Sequence, residues 1–97
     1  MRSEQVLHDL WQVIDDRITR PTPGSYVAGL MADEKGIDRV LEKVGEEATE
    51  FIIAAKNGVP ERIVSEAADL QFHFLIALRA AGVSFEDVIR ELEARRR

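Results

Sequence analysis

Five acidic residues stand at spacings able to hold a cation. Glu46, Glu47 and Glu50 fall within KVGEEATEFIIAAKNG, residues 43–58, and Glu66 and Asp69 within the later stretch SEAADLQFHFLIAL. On a helix, at about 100° per residue, Glu50 lies roughly 40° and Glu47 roughly 100° from Glu46, with Lys43 inside the same arc. Glu66 and Asp69 lie within one turn of each other on a second helix, which is apolar in nearly every direction. A helix of that kind is buried on most sides, so its carboxylates are expected to point inward or into a cleft. Buried carboxylates are rare unless paired or bound to metal. In a shared pocket about 6 Å across, each like-charged pair costs about 3 kcal/mol at an effective dielectric near 20. Domain stability is only about 5–15 kcal/mol, so such a cluster needs protons or cations. Lys43 and Lys56 are the few positive charges close by in sequence. An all-oxygen donor set suits a hard divalent cation, and Mg²⁺ best, because it keeps waters and bridges to phosphates. A di-iron centre needs Glu-x-x-His pairs on facing helices. Neither His8 nor His73 stands three residues after a glutamate. His73 is expected as a hydrogen-bonded histidine within the bundle and His8 as a surface residue. The rival reading of the acidic run alone is a solvated helix face.

The elements that must position these residues read as all-α, a helical bundle of about four to five helices completed by homodimerisation. Ser3 is placed to cap a first helix over about 4–19, with Val6, Leu7, Leu10, Val13, Ile14 and Ile18 at helical spacing. Pro21, Pro23 and Gly24 break the pattern. Ser25 caps a short helix ending near Ala32, and a longer helix runs from about Ile37 to Asn57, with Gly58 just past its end. On that helix Val44, Ala48, Phe51, Ile52 and Ala55 form the expected core stripe. Pro60 suits the first turn of the next helix, about 60–81, which Gly82 stops. Ser84 and Asp87 have the spacing of a capping box and start a last helix over about 85–95. No stretch alternates long enough to predict a strand, and the chain reads as one domain, residues 1–97.

Composition narrows the function classes. A net charge of −5 without a basic stripe argues against non-specific nucleic-acid binding. The terminal Arg95, Arg96 and Arg97 complement the negative end of a last helix. The absence of cysteine excludes disulfides, thiolate metal sites and cysteine nucleophiles. The N-terminal residues carry charges where a signal peptide needs an apolar core, and no apolar run is long enough to span a bilayer. These features predict a soluble cytoplasmic protein. A chain of this length buries only about 60–65% of its unfolded surface, which favours a partner subunit.

The two acidic blocks, with fifteen residues between Glu50 and Glu66, resemble the EExxE…ExxD signature of the all-α nucleoside triphosphate pyrophosphohydrolases. Within that group, GSY at Gly24–Tyr26, KVGEEATE at Lys43–Glu50 and EAADLQFH at Glu66–His73 resemble the phosphoribosyl-ATP pyrophosphohydrolase family of histidine biosynthesis. That family often has Leu-Tyr before the histidine, where this chain has Gln71-Phe72. The resemblance implies a Mg²⁺-dependent hydrolase. It would split phosphoribosyl-ATP between the α and β phosphates, giving phosphoribosyl-AMP and pyrophosphate. By motif, Glu46, Glu47, Glu50, Glu66 and Asp69 would be the metal-binding carboxylates. The length points to the form without a fused cyclohydrolase domain.

Glu47, at the edge of the acidic arc beside the apolar stripe, is the candidate general base, because desolvation there raises a carboxyl pKa. Lys43, Ser25, Tyr26 and Lys56 are candidate substrate contacts. The bland alternatives are an ordinary Lys–Glu helix pair for Lys43, an N-cap for Ser25 and a dipole partner for Lys56. Two other functions compete: a house-cleaning nucleoside triphosphate pyrophosphohydrolase using the same carboxylates, and a non-catalytic helical dimerisation module. The active site is expected near the subunit interface of a homodimer.

Overall fold

A computed structural model describes residues 3–96, with side chains from Gln5 onward. The cap expected from the Ser3 side chain and the last residue of the arginine run, Arg97, lie outside the described residues. The chain is all-helical: α1 Ser3–Thr19, α2 Tyr26–Met31, α3 Ile37–Asn57, α4 Pro60–Ala80 and α5 Phe85–Ala94.

Local chemistry sets each boundary. The Ser25 Oγ accepts from the Ala28 amide at 3.2 Å and starts α2. Gly58 ends α3 at φ 75°, a conformation costly for any residue with a Cβ, while its amide still reaches the Ala54 carbonyl. Pro60 then opens α4 at the first turn, where its missing N–H leaves no bond unmade. At the far end the Val83 amide donates to the Leu78 carbonyl and the Gly82 amide to Arg79, the paired bonds of a Schellman ending. Ser84 caps α5 by accepting from the Glu86 amide at 3.1 Å. The reciprocal half of the expected capping box does not form. Asp87, one methylene shorter than the usual glutamate, pairs with Arg90 instead.

The two longest helices, α3 and α4, are joined by Gly58 and Val59 alone and pack along their length as an antiparallel hairpin. Helices α1, α2 and α5 close one side of it around Ile14, Val27, Leu30, Val40, Leu75, Ile76 and Phe85. Trp11 stacks on Phe85 at 6.2 Å, and Arg79 bonds Asp15 at 2.7 Å, tying α4 to α1.

Two expectations about packing need correction. On α1 the inward stripe is narrower than predicted: Ile14 is fully buried, but Val6 and Val13 are about half exposed. On α3 the buried line runs through Val40, Glu47 and Ala54, at seven-residue intervals, and Ile52 of the expected core stripe is 60% exposed. The helix is rotated so that its buried line falls between the acidic arc and the apolar stripe: Glu47 turns inward, Glu46 and Glu50 stay exposed, and Val44, Ala48 and Phe51 are only partly covered. Nor is α4 buried on most sides within one chain, since Val64 and Phe74 remain exposed.

Because Ile76 is fully buried between helices, Ile76→Ala is expected to lower stability by about 2–5 kcal/mol, from lost transfer energy and a cavity. Urea unfolding of the two chains checks this.

Candidate active site

The hairpin seam buries three polar side chains, Glu47 from α3 and Glu66 and His73 from α4. Glu47 and Glu66 are 6% and 5% exposed. One carboxylate oxygen from each of Glu47, Glu66 and Asp69 lies within 4.8 Å of the others. Asp69 is exposed and stands at the mouth of the cluster, with the two glutamates behind it. The convergence follows from the hairpin. Glu66 and Asp69 share one turn of α4, and the short connection brings that turn opposite the middle of α3.

Glu50, one turn after Glu47, shares a hydrogen bond with it, and this is the first cause lifting the Glu47 pKa from 4.5 to about 7. Burial and the negative charge of Glu50 act in the same direction, Asp69 adds a little, and Lys43 opposes. In the absence of a metal Glu47 therefore keeps its proton up to about neutral pH. Every buried side-chain nitrogen and oxygen among the described residues has a hydrogen-bond partner.

The remaining predicted residues fall into separate places. Glu46 is not brought into the cluster. Its half-exposed carboxylate pairs with Lys43 at 3.3 Å and Arg39 at 3.7 Å, the basic residues a turn or two before it on α3. Of the five carboxylates singled out by motif, Glu47, Glu66 and Asp69 stand together, Glu50 adjoins Glu47, and Glu46 lies apart with its basic neighbours. Lys43 is mostly covered and its pKa is raised. Burial opposes the charge, but the Glu46 bond and the nearby Tyr26, Glu46 and Glu47 outweigh it. Ser25 acts as the N-cap described above, and its own O–H remains available as a donor. The half-exposed Tyr26 has its hydroxyl on His73 at 2.8 Å. Lys56 is exposed in the last turn of α3, outside the groove that adjoins the cluster.

That groove, about 240 Å³, lies between the end of α3 and the start of α4 and is lined by Glu50, Ile53, Ala54, Asn57, Val59 and Arg62. Arg62 was not singled out by the sequence. Its guanidinium donates to Glu66 at 2.9 Å and brings positive charge to the cluster's edge. The signal was present as an Arg-x-x-x-Glu spacing on one helix. His73 is held as expected, with Nδ1 against the Asp69 carbonyl at 2.8 Å. His8 is partly exposed, with its Nδ1 3.1 Å from the Glu86 carboxylate.

The chain is an all-helical bundle whose central hairpin gathers carboxylates on its seam. The profile of the family described as Phosphoribosyl-ATP pyrophosphohydrolase matches residues 7–96. Curated relatives named phosphoribosyl-ATP pyrophosphatase agree. One from Methanoculleus marisnigri is 59% identical over 97 residues, covering 100% of both chains. One from Methanoregula boonei is 61% identical over 93 residues, covering 96% of this chain and 89% of the relative. One from Methylococcus capsulatus is 49% identical over 90 residues, covering 93% and 84%. The chain belongs to the phosphoribosyl-ATP pyrophosphohydrolase family.

The raised Glu47 pKa has a thermodynamic consequence with a definite sign. A carboxyl whose folded pKa exceeds its unfolded value stabilises the fold at low pH, and that contribution is lost as pH rises from 4.5 to about 7. With divalent ions chelated, the chain should lose up to roughly 3 kcal/mol of stability across that window, from about 1.4 kcal/mol per pKa unit. The difference in urea-unfolding free energy between wild type and Glu47→Gln isolates this contribution, and the variant should be the more stable chain above neutrality.

Proposed function

We propose that this chain hydrolyses phosphoribosyl-ATP to phosphoribosyl-AMP and pyrophosphate, the second step of histidine biosynthesis, in the cytoplasm and with Mg²⁺. The observation that carries the proposal is the convergence of Glu47, Glu66 and Asp69 at the hairpin seam of a chain in this family.

The donor set fits the ion. All three groups are carboxylates, two of them buried, and their oxygens lie within 4.8 Å of one another. Glu47, Glu66 and Asp69 would hold the ion, with Glu50 beside them, and Glu46 is left to Arg39 and Lys43. Bound there, Mg²⁺ would neutralise phosphate charge and make a nearby water more acidic.

The chain's own residues then have distinct tasks. Glu47 is the general base: it takes a proton from water at its carboxylate, and Glu50 shares that proton through their hydrogen bond. Lys43, held charged by its acidic neighbours, is positioned to meet a phosphate oxygen. Ser25 offers its hydroxyl proton from the start of α2, and Lys56 adds positive charge at the end of α3. Arg62 can exchange its bond to Glu66 for one to the substrate once a cation neutralises that carboxylate. Hydrolysis of an anhydride asks mainly for positioning and charge neutralisation, which these groups supply.

The working unit is read as a homodimer, with the whole chain as one domain. Ile52, Ile53, Leu41 and Val64 on α3 and α4 are all half or more exposed. A second copy covering this face would complete the bundle beside the carboxylates. No helix among the described residues is long and apolar enough to cross a membrane.

Pyrophosphate should form from phosphoribosyl-ATP only with Mg²⁺, and much more slowly from free nucleoside triphosphates. A preference for the latter would favour a house-cleaning enzyme. Glu47→Gln should lower kcat by at least about a hundredfold, the usual worth of a general base. Calorimetry should still detect Mg²⁺ binding to that variant. Light scattering should give twice the chain mass, and a monomer would remove the dimer from the proposal.

A further inference from the structure

Tyr26 combines two facts that pull in opposite directions. The residue is 51% exposed, yet its hydroxyl points to the Nε2 of His73, a residue only 7% exposed. The ring stacks against Phe72 at 6.1 Å and meets the His73 imidazole edge-on at 5.6 Å. The other imidazole nitrogen settles the direction of the bond. A backbone carbonyl can only accept, so Nδ1, 2.8 Å from the Asp69 carbonyl, carries the proton. In the neutral ring Nε2 is then an acceptor, and Tyr26 is the donor.

We infer that Tyr26 and His73 are a positioning pair: the Tyr26 O–H fastens the first turn of α2, with the Gly24–Ser25 loop before it, to the turn of α4 that carries Asp69. The inference deepens the proposed function and rests on it for the site being held. It gives Tyr26 a role different from the direct substrate contact suggested by its place in the GSY stretch. Helix α2 has only six residues and follows a loop containing Pro21, Pro23 and Gly24, so it cannot fix its own orientation. Val27 and Leu30 anchor its inner side in the core. The Tyr26 bond sets its first turn against the acidic mouth, where Ser25 and Lys43 are to meet substrate. The pair is also in the right chemical order: a phenol donor, a histidine that accepts and donates, and a main-chain acceptor on a long helix.

Tyr26→Phe keeps both ring contacts and removes only the hydroxyl. His73→Asn keeps a donor near the Asp69 carbonyl and removes the acceptor for Tyr26. Steady-state hydrolysis of phosphoribosyl-ATP at saturating Mg²⁺ should show kcat/KM lowered about tenfold in each variant, the worth of one hydrogen bond. The loss should lie in KM with kcat within about twofold, whereas partial unfolding would lower kcat at unchanged KM. The double variant should be no worse than either single one, because both break the same bond. Losses that multiply in the double variant would mean Tyr26 touches substrate directly, and a Tyr26→Phe enzyme with wild-type KM would mean the bond does nothing; either overturns the inference. An independent readout is the ¹⁵N spectrum of the imidazole. It should show the Nδ1–H tautomer in wild type and a shifted Nε2 resonance in Tyr26→Phe. The Nε2–H tautomer, or an unmoved resonance, overturns the pair even in a chain that releases no pyrophosphate, a result that would instead count against the proposed reaction.

Discussion

Two carboxylates sit in the seam of a helical hairpin, with a third at its mouth and a fourth leaning on the first. Their mutual repulsion is the constraint on which the rest of the structure depends. At an effective dielectric near 20, two such charges about 5 Å apart repel by roughly 3 kcal/mol. The fold meets that repulsion in three ways at once. Arg62 bonds Glu66, Lys43 lies within reach of Glu47, and the raised pKa of Glu47 lets its carboxyl keep a proton. Each remedy is partial and replaceable. Arg62 is 65% exposed at its side chain and can move away, and the proton is held only up to about neutral pH.

The other helices supply what the hairpin lacks. Its inner surface is polar near the carboxylates and apolar toward Leu75 and Ile76, so cohesion comes from the second half of α4. There α1 and α5 close the core through Ile14, Trp11 and Phe85. Stability and chemistry are thus separated along a single helix. Its first two-thirds hold Glu66, Asp69 and His73, and its last third carries the buried aliphatic side chains Leu75 and Ile76. The arrangement lets the acidic end be strained without loosening the packed end.

The elements were legible in the sequence because their boundaries are written in local chemistry. Ser25, Gly58, Pro60, Gly82 and Ser84 act where capping rules place them. The resemblance to the family was carried by motif blocks and is matched by the family profile. Rotation was less legible. Helical-wheel reasoning took the most apolar face of α3 as its core side, whereas Glu47 lies on the buried line and Ile52 outside it. Periodicity reports which residues share a face, not which face the neighbouring helix covers. For the same reason Glu46 could not be separated from Glu47 and Glu50 before their neighbours were known. The bond between Tyr26 and His73, 47 residues apart, has no local signal at all.

Only Gly58 and Val59 separate the two long helices. So brief a link works as a ruler. It sets how far α4 can slide past α3, and with it the axial match between Glu47 and Glu66. A residue inserted within α3 or α4 between this bend and the carboxylates would shift them by about 1.5 Å and turn them by about 100°, the rise and twist of a single helical residue. Between the bend and the carboxylates, then, even one insertion would take the acidic side chains out of step.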